Sequence, residues 1–293
     1  MKSSDHSDDD DCNVCNVRHW QKGPNMTTFA MTRRQQREAE YYRQFMERNP
    51  VETIDFAPVL SDQRRPWSPY WSLCRLVRDL RTDEPQRLLD FGCGWGVSAV
   101  SFARLGYQVE GFDVAPANIA AAEKLATRYN LDQQCRFRVM PAEKLDYPDN
   151  HFDVAVGIDI LHHVELAQAL PELARVLKPN GVAILKEPYA IPLLEWVRET
   201  RLLQALAPRE TSFDKHVHIT DDERKLTCED IRLIEKYFHI ESVTCFSLLN
   251  RLSRFLPQHY SKLMWLDYTL FRLCPPLRRL GDVRLYQCRP RNK

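Results

Sequence analysis

Glycine is scarce in this chain, with nine among 293 residues. Three of those nine, Gly92, Gly94 and Gly96, fall within five positions, so the backbone has a special requirement there and almost nowhere else. Long apolar runs are missing as well. None approaches the roughly 18 residues of a membrane span, and the mean hydropathy is −0.47. Neither sign of charge dominates: 41 Lys and Arg stand against 40 Asp and Glu, a net charge of +1. That balance gives no global electrostatic case for a nucleic-acid partner. The nine cysteines are odd in number and scattered, which excludes an evenly spaced disulfide framework and suits reduced thiols in a cytosol-like compartment. No internal repeat is visible. The opening Met-Lys-Ser-Ser-Asp-His has no apolar stretch after it, so no secretory leader is expected and the localisation expected is cytoplasmic. What is present is ordinary globular composition, with 44% hydrophobic and 28% charged residues.

Three regions follow from patterning. Residues 1–27 are polar, acidic and without periodicity, and are expected to be a disordered tail. Cys12-x-x-Cys15 with His19 is half of a metal-binding spacing, but no second pair follows, so no metal is expected. Residues 28–84 read as a helical segment, with a charged helix from Arg33 to Glu47 and an amphipathic one from Pro69 to Leu80. Residues 85–293 alternate strand and helix. Strands are expected at Arg87–Phe91, Tyr107–Phe112, Cys135–Val139, Phe152–Ile158, Val182–Lys186, Ile240–Phe246 and Val283–Cys288. Helices are expected at Val97–Leu105, Pro116–Tyr129, Leu166–Leu177, 193–206 and Cys228–Phe238. Thr227 with Asp230 forms a capping-box pattern ahead of the last of these. The alternation predicts an α/β fold with a parallel sheet covered on both faces.

The glycine cluster lies in Asp90-Phe91-Gly92-Cys93-Gly94-Trp95-Gly96, where the first strand meets its helix. Glycines there allow a tight turn and close approach of a ligand, and the following helix offers unsatisfied amides. Asp113 ends the next strand, about twenty residues on, where a carboxylate accepts from ribose hydroxyls. The pattern calls for a nucleoside-containing ligand. It departs from the dinucleotide fingerprint, because Val97 stands where a third glycine or alanine is wanted. Asp90 adds a negative charge that is awkward beside a pyrophosphate and useful beside a cation.

DFGCGWG resembles the first motif of the class I S-adenosylmethionine-dependent methyltransferases, and later elements agree in order. Asp113 matches the family's ribose-binding acid, and Pro141-Ala142-Glu143 its adenine-contacting turn. Phe152-Asp153 opens the fourth strand, and Asp159-Ile160-Leu161-His162-His163 follows it. Arg175-Val176-Leu177-Lys178-Pro179-Asn180-Gly181 resembles R-V-L-K-P-G-G, with Asn180 in place of the first glycine. The resemblance covers residues 85–188 clearly. It implies a Rossmann-like sheet of seven strands with the last antiparallel, and S-adenosylmethionine as cofactor. It assigns the cofactor to Asp90, Gly92, Cys93, Gly94, Trp95, Gly96, Asp113, Val114, Ala142, Glu143 and Asp159.

Methyl transfer to oxygen or carbon benefits from a general base, most often histidine. His162 and His163 follow the fourth strand at the edge where open α/β sheets bind ligands. Either can serve as the base, or both can cap or pack. His216 and His218 are weaker candidates, and Glu187 and Tyr189 are placed to meet the acceptor. An N-P-P-[YF] tetrapeptide is missing after the fourth strand, which lowers the case for a nucleobase amine. Two insertions, 188–226 and 247–281, leave from the same edge and are expected to build a lid or acceptor pocket. Residues 247–280 are rich in leucine and carry six Lys and Arg against the single acid Asp267. That composition suits a lipophilic acceptor or an anionic membrane surface, or a helical lid packed on the core. The expected partner is therefore a small-molecule or lipid acceptor. Two competing readings, a non-catalytic S-adenosylmethionine-binding protein and a nicotinamide oxidoreductase, fit the glycine motif less well.

Overall fold

The computed structural model describes residues 31–48, 53–191, 224–254 and 256–291. The expected tail with Cys12, Cys15 and His19, the helix expected over 193–206, and His216 and His218 lie outside those residues.

Seven strands form one sheet in the order β3-β2-β1-β4-β5-β7-β6. They are β1 (Arg87–Phe91), β2 (Gln108–Asp113), β3 (Cys135–Val139), β4 (Phe152–Ile158), β5 (Leu177–Pro188), β6 (Phe238–Phe246) and β7 (Val283–Pro290). Adjacent strands from β3 through β5 pair parallel, and β7 runs antiparallel to both β5 and β6. The expected α/β architecture with an antiparallel last strand is what the chain adopts. Alternation along each strand sends side chains to two cores. Leu89 and Phe91 pack with Leu170, Leu173 and Phe238 on one face, while Leu88 packs with Leu73, Val100 and Phe102 on the other.

The helices are α1 (Arg33–Arg48), α2 (Ala57–Leu60), α3 (Pro69–Asp79), α4 (Val97–Ala103), α5 (Pro116–Arg128), α6 (Leu166–Val176), α7 (Cys228–Tyr237) and α8 (Tyr260–Leu273). The capping box ahead of α7 is complete: Thr227 Oγ1 accepts from the Asp230 amide, and Asp230 Oδ2 accepts from the Thr227 amide at 2.7 Å. Strand β5 starts earlier than expected. Leu177 pairs with Phe152 and the register resumes at Val154 with Val182, so the Lys178-Pro179-Asn180-Gly181 stop signal becomes an irregularity within the strand. The first insertion is closed at its base, where the Ala190 amide donates to Leu226 and the Leu226 amide to Pro188.

The second insertion folds as a helical unit around a buried acid. Asp267, 2% exposed, accepts from the amides of Leu248, Leu249 and Asn250 at 2.6–3.0 Å. One carboxylate thereby satisfies three donors at the start of the 3₁₀ turn Leu249–Arg254. Among the described residues, no helix is long and apolar enough to cross a membrane.

Candidate active site

Strand order reverses between β1 and β4, so the carboxyl ends of β1, β2 and β4 open a crevice. A cavity of about 240 Å³ fills it. Asp90, Gly92, Cys93, Gly94 and Trp95 line it from the β1–α4 turn, with Val97 and Ser98 behind them, and Asp113 lines it from β2. Ile158, Asp159, Ile160 and His163 close it from β4, and Glu38 and Tyr42 from α1.

The glycines divide their work. All three have positive φ, from 50° to 82°. A Cβ on Gly92 would lie 2.5 Å from Ile160 Cγ1, and one on Gly96 would lie 2.6 Å from Ala122 Cβ, so both permit packing of the turn. A Cβ on Gly94 would meet nothing within 4 Å. Gly94 therefore leaves its space to a ligand, as a cradle must.

Three amides of the turn ahead of α4 are engaged within the fold. The Cys93 amide donates to Phe112 O, the Gly96 amide to Cys93 O, and the Gly94 amide to Asp113 Oδ2 at 3.1 Å. Helix α4 is only seven residues long. The turn presents open space at Gly94 and a set of acids. Among the described residues, Glu38, Asp90, Asp113 and Asp159 line the cavity, and no Lys or Arg does. That lining repels a pyrophosphate and suits a cation.

Asp90 shares its strand face with Leu88 and is 2% exposed. Its Oδ2 has no hydrogen-bond partner. Burial raises its pKa from 3.8 to about 7, partly offset by a hydrogen bond from the Ala99 amide. An orphaned buried carboxyl at a cavity wall is stable as an ion once a cationic ligand meets it. Asp113 accepts from the amides of Gly94 and Ala115 and from Asn118 Nδ2. Burial raises its pKa, against the pull of those donors. Its carboxylate lines the cavity, within reach of a ligand hydroxyl. The residues present fit a cationic nucleoside.

Asp159 has φ of 54°, a conformation uncommon for a residue with a side chain, and its carboxylate pairs with Lys186. The two adjacent histidines have different surroundings. His162 Nδ1 lies 2.7 Å from Glu187 Oε2, and Glu187 is fully buried. Glu187 Oε1 also accepts from the amides of Ile160 and Leu161 at 2.9 and 2.7 Å. His163 lines the cavity, with Nδ1 3.3 Å from Glu38 Oε1.

Several expected site residues stand apart from the cavity lining: Gly96, Val114, Ala142, Glu143 and His162. Gly96 supports the turn from behind. Glu143 latches neighbouring elements, accepting from Gln35 Nε2 at 3.2 Å and from the Glu165 amide at 2.9 Å. Glu187 and Tyr189 do not line it either. The Tyr189 hydroxyl lies 2.8 Å from Cys228 Sγ, and the Arg284 guanidinium lies over its ring. No described residue of 247–281 lines the cavity. The roof is α1 instead. Phe45 stacks on Trp95 at 5.4 Å between ring centroids, and Arg34 Nη2 donates to His162 O at 2.9 Å. Glu38 and Tyr42 escaped the sequence reading. Their signal was the helical stripe Arg34, Glu38, Tyr42 and Phe45, which marks one face of α1.

Residues 89–185 match the family model described as a methyltransferase domain. The ubiquinone biosynthesis O-methyltransferase of Rhodopseudomonas palustris (strain HaA2) is 36% identical over 100 residues, which is 34% of this chain and 38% of that protein. That of Bradyrhizobium diazoefficiens is 36% identical over 112 residues, 38% of this chain and 43% of that protein. The chain thus matches about two fifths of the length of these curated relatives. Geranyl diphosphate C-methyltransferase from Streptomyces coelicolor A3(2), solved with S-adenosyl-L-homocysteine, superimposes with a TM-score of 0.57 at 14% identity, over 89% of this chain and 99% of that one. The [4+2]-cyclase SpnF superimposes with a TM-score of 0.55 at 21% identity, over 87% of this chain and 96% of that one. These likenesses extend the common fold across the sheet. The central hundred residues thus match a methyltransferase domain, and the sheet around them has the strand order of the class I S-adenosylmethionine-dependent fold that the glycine motif resembles.

Proposed function

We propose that this chain methylates an oxygen or carbon of a small lipophilic acceptor, with His163 as general base. The observation that carries the reading is one cavity lined both by the acidic glycine turn and by His163 paired with Glu38. S-adenosylmethionine supplies an electrophilic methyl on a sulfonium. Asp90 meets the positive charge of that cofactor, Asp113 accepts from its ribose hydroxyls, and Gly94 leaves room for its backbone to approach. His163 takes the acceptor's proton, and the Glu38 carboxylate orients the ring and stabilises the imidazolium that forms. Helix α1 excludes water from the cavity through Tyr42 and the Phe45–Trp95 stack. His162 is a positioning residue. Through Glu187 it fixes the loop that carries His163.

The acceptor class draws support from two sides. The curated relatives' name places O-methylation in the biosynthesis of ubiquinone, a lipophilic quinone. The leucine-rich, basic 247–280 segment suits the bilayer where such an acceptor would be met. The test is methyl transfer from methyl-labelled S-adenosylmethionine to prenylated phenols and prenyl alcohols. Label in any of these acceptors, lost in His163→Ala, is the expected result. Tight cofactor binding with no label in any acceptor would make the chain a binding protein.

A further inference from the structure

Helix α8 turns two unlike faces to its surroundings. At 100° per residue, Leu263, Met264, Asp267 and Phe271 lie on one side, and all four are buried. The opposite side carries Lys262, Trp265, Leu266, Arg272 and Leu273, and all five are exposed. Trp265 is 50% exposed and Leu273 is 80% exposed. The 3₁₀ turns packed beside the helix add exposed Leu252 and Leu256. Large apolar side chains left in water in this number mark a contact surface.

The charge around them selects the partner. Across 247–280 the only acid is Asp267, and it is buried on three backbone amides. Every charge this unit can present to solvent is positive. A protein partner of ordinary composition places no such demand, whereas anionic lipid headgroups do. A tryptophan beside lysine and arginine on an apolar face is the composition of an interfacial helix. The unit leaves the sheet at Phe246, the carboxyl end of β6, which runs parallel to β4 and β5 and so ends at the cavity edge.

We infer that the outward face of α8, with Trp265, Leu266 and Leu273 as its apolar anchors and Lys262 and Arg272 as its cations, docks this chain on an anionic lipid bilayer. This deepens the proposed function and rests on it only for its purpose, since docking beside the cavity edge brings a membrane-dissolved acceptor within reach.

The test is sedimentation of the purified full chain with phosphatidylcholine vesicles, with and without phosphatidylglycerol. Binding to the mixed vesicles is expected. It should weaken at least about tenfold on phosphatidylcholine alone, in the double variant Lys262→Glu, Arg272→Glu, and in Trp265→Ser. S-adenosylhomocysteine binding, measured on the same samples, should not change and shows that the variants fold. No sedimentation with mixed vesicles, or equal sedimentation of the variants, overturns the inference. Concentration-dependent self-association that Trp265→Ser abolishes also overturns it and assigns the face to a second copy. Vesicle binding without methyl transfer would leave the inference standing and remove the proposed function. Methyl transfer to a soluble phenol without vesicle binding would do the reverse.

Discussion

His163 and Glu38 meet at the mouth of the cavity, Nδ1 to Oε1 at 3.3 Å, although one follows the fourth strand and the other rides on the first helix. Both side chains are largely sheltered, at 9% and 13% exposure, and a carboxylate so placed orients the imidazole ring. His163→Ala should lower methyl transfer by about 10²–10⁴-fold and leave S-adenosylhomocysteine affinity near wild type. Glu38→Gln should lower turnover by roughly tenfold through the same path. Turnover and calorimetric affinity measured together check both. Equal turnover in His163→Ala would take this histidine out of the chemistry.

Asp90 gives a pH dependence of known sign. Its pKa is raised from 3.8 to about 7 in the folded chain, so the folded state favours the protonated form. Stability from this group is present at low pH and is lost as pH rises toward about 7. A cationic cofactor needs the ionised form, so its affinity should fall as pH drops below about 7. Asp90→Asn should raise the stability of the ligand-free protein at about pH 8, by on the order of 2 kcal/mol, while weakening S-adenosylmethionine binding and flattening its pH dependence. Thermal melts and titrations at two pH values read both effects. A destabilised Asp90→Asn protein would refute the account.

Much of the fold was legible because its signals are local. The bounds of β4 follow from a largely apolar run, those of β3 from apolar–polar alternation, and the α7 start from Thr227 and Asp230. The glycine turn and Asp113 were legible because positive φ and a strand-end acid leave a mark on the sequence. Glu38 left little mark, since its partner His163 is joined to it only by the docking of α1. Glu187 was misjudged for a related reason. A carboxylate just past a strand near a ligand edge reads as an acceptor contact, and only the three-dimensional loop reveals two amides and an imidazole waiting for it. The second insertion was expected at the cavity because it leaves from the right edge, but Asp267 folds it on itself.

Asp113 carries two duties that a single substitution separates. Its carboxylate fixes the glycine turn through the Gly94 amide and ties down the entry to α5 through the Ala115 amide and Asn118 Nδ2. Asp113→Ala should weaken cofactor binding by roughly 1.5–3 kcal/mol, the range for hydrogen bonds to a charged group. It should also lower stability by about 1 kcal/mol through the lost bonds from Ala115 and Asn118. Asp113→Asn keeps an acceptor for the Ala115 amide and should recover part of the stability with little of the affinity. Unchanged affinity in both variants would show that the ribose contact lies elsewhere.

Glu187 should prove the most costly of the polar residues to remove. Its carboxylate is fully buried and holds the Ile160 and Leu161 amides on one oxygen and His162 Nδ1 on the other. Glu187→Ala leaves these donors without a buried partner, and each such group costs about 1–3 kcal/mol. A loss of roughly 3 kcal/mol or more in urea unfolding is expected. Glu187→Gln is the sharper probe. If its amide oxygen stays on the two backbone amides, its NH₂ faces His162 Nδ1 and forces that nitrogen to accept. The imidazole proton then sits on Nε2, a change visible in the nitrogen shifts of His162, while the loop keeps its course. Methyl transfer should survive in Glu187→Gln, because His163 stays paired with Glu38. If turnover instead falls as far as in His163→Ala while the loop stays folded, the base is His162, and Glu187 is its orienting carboxylate.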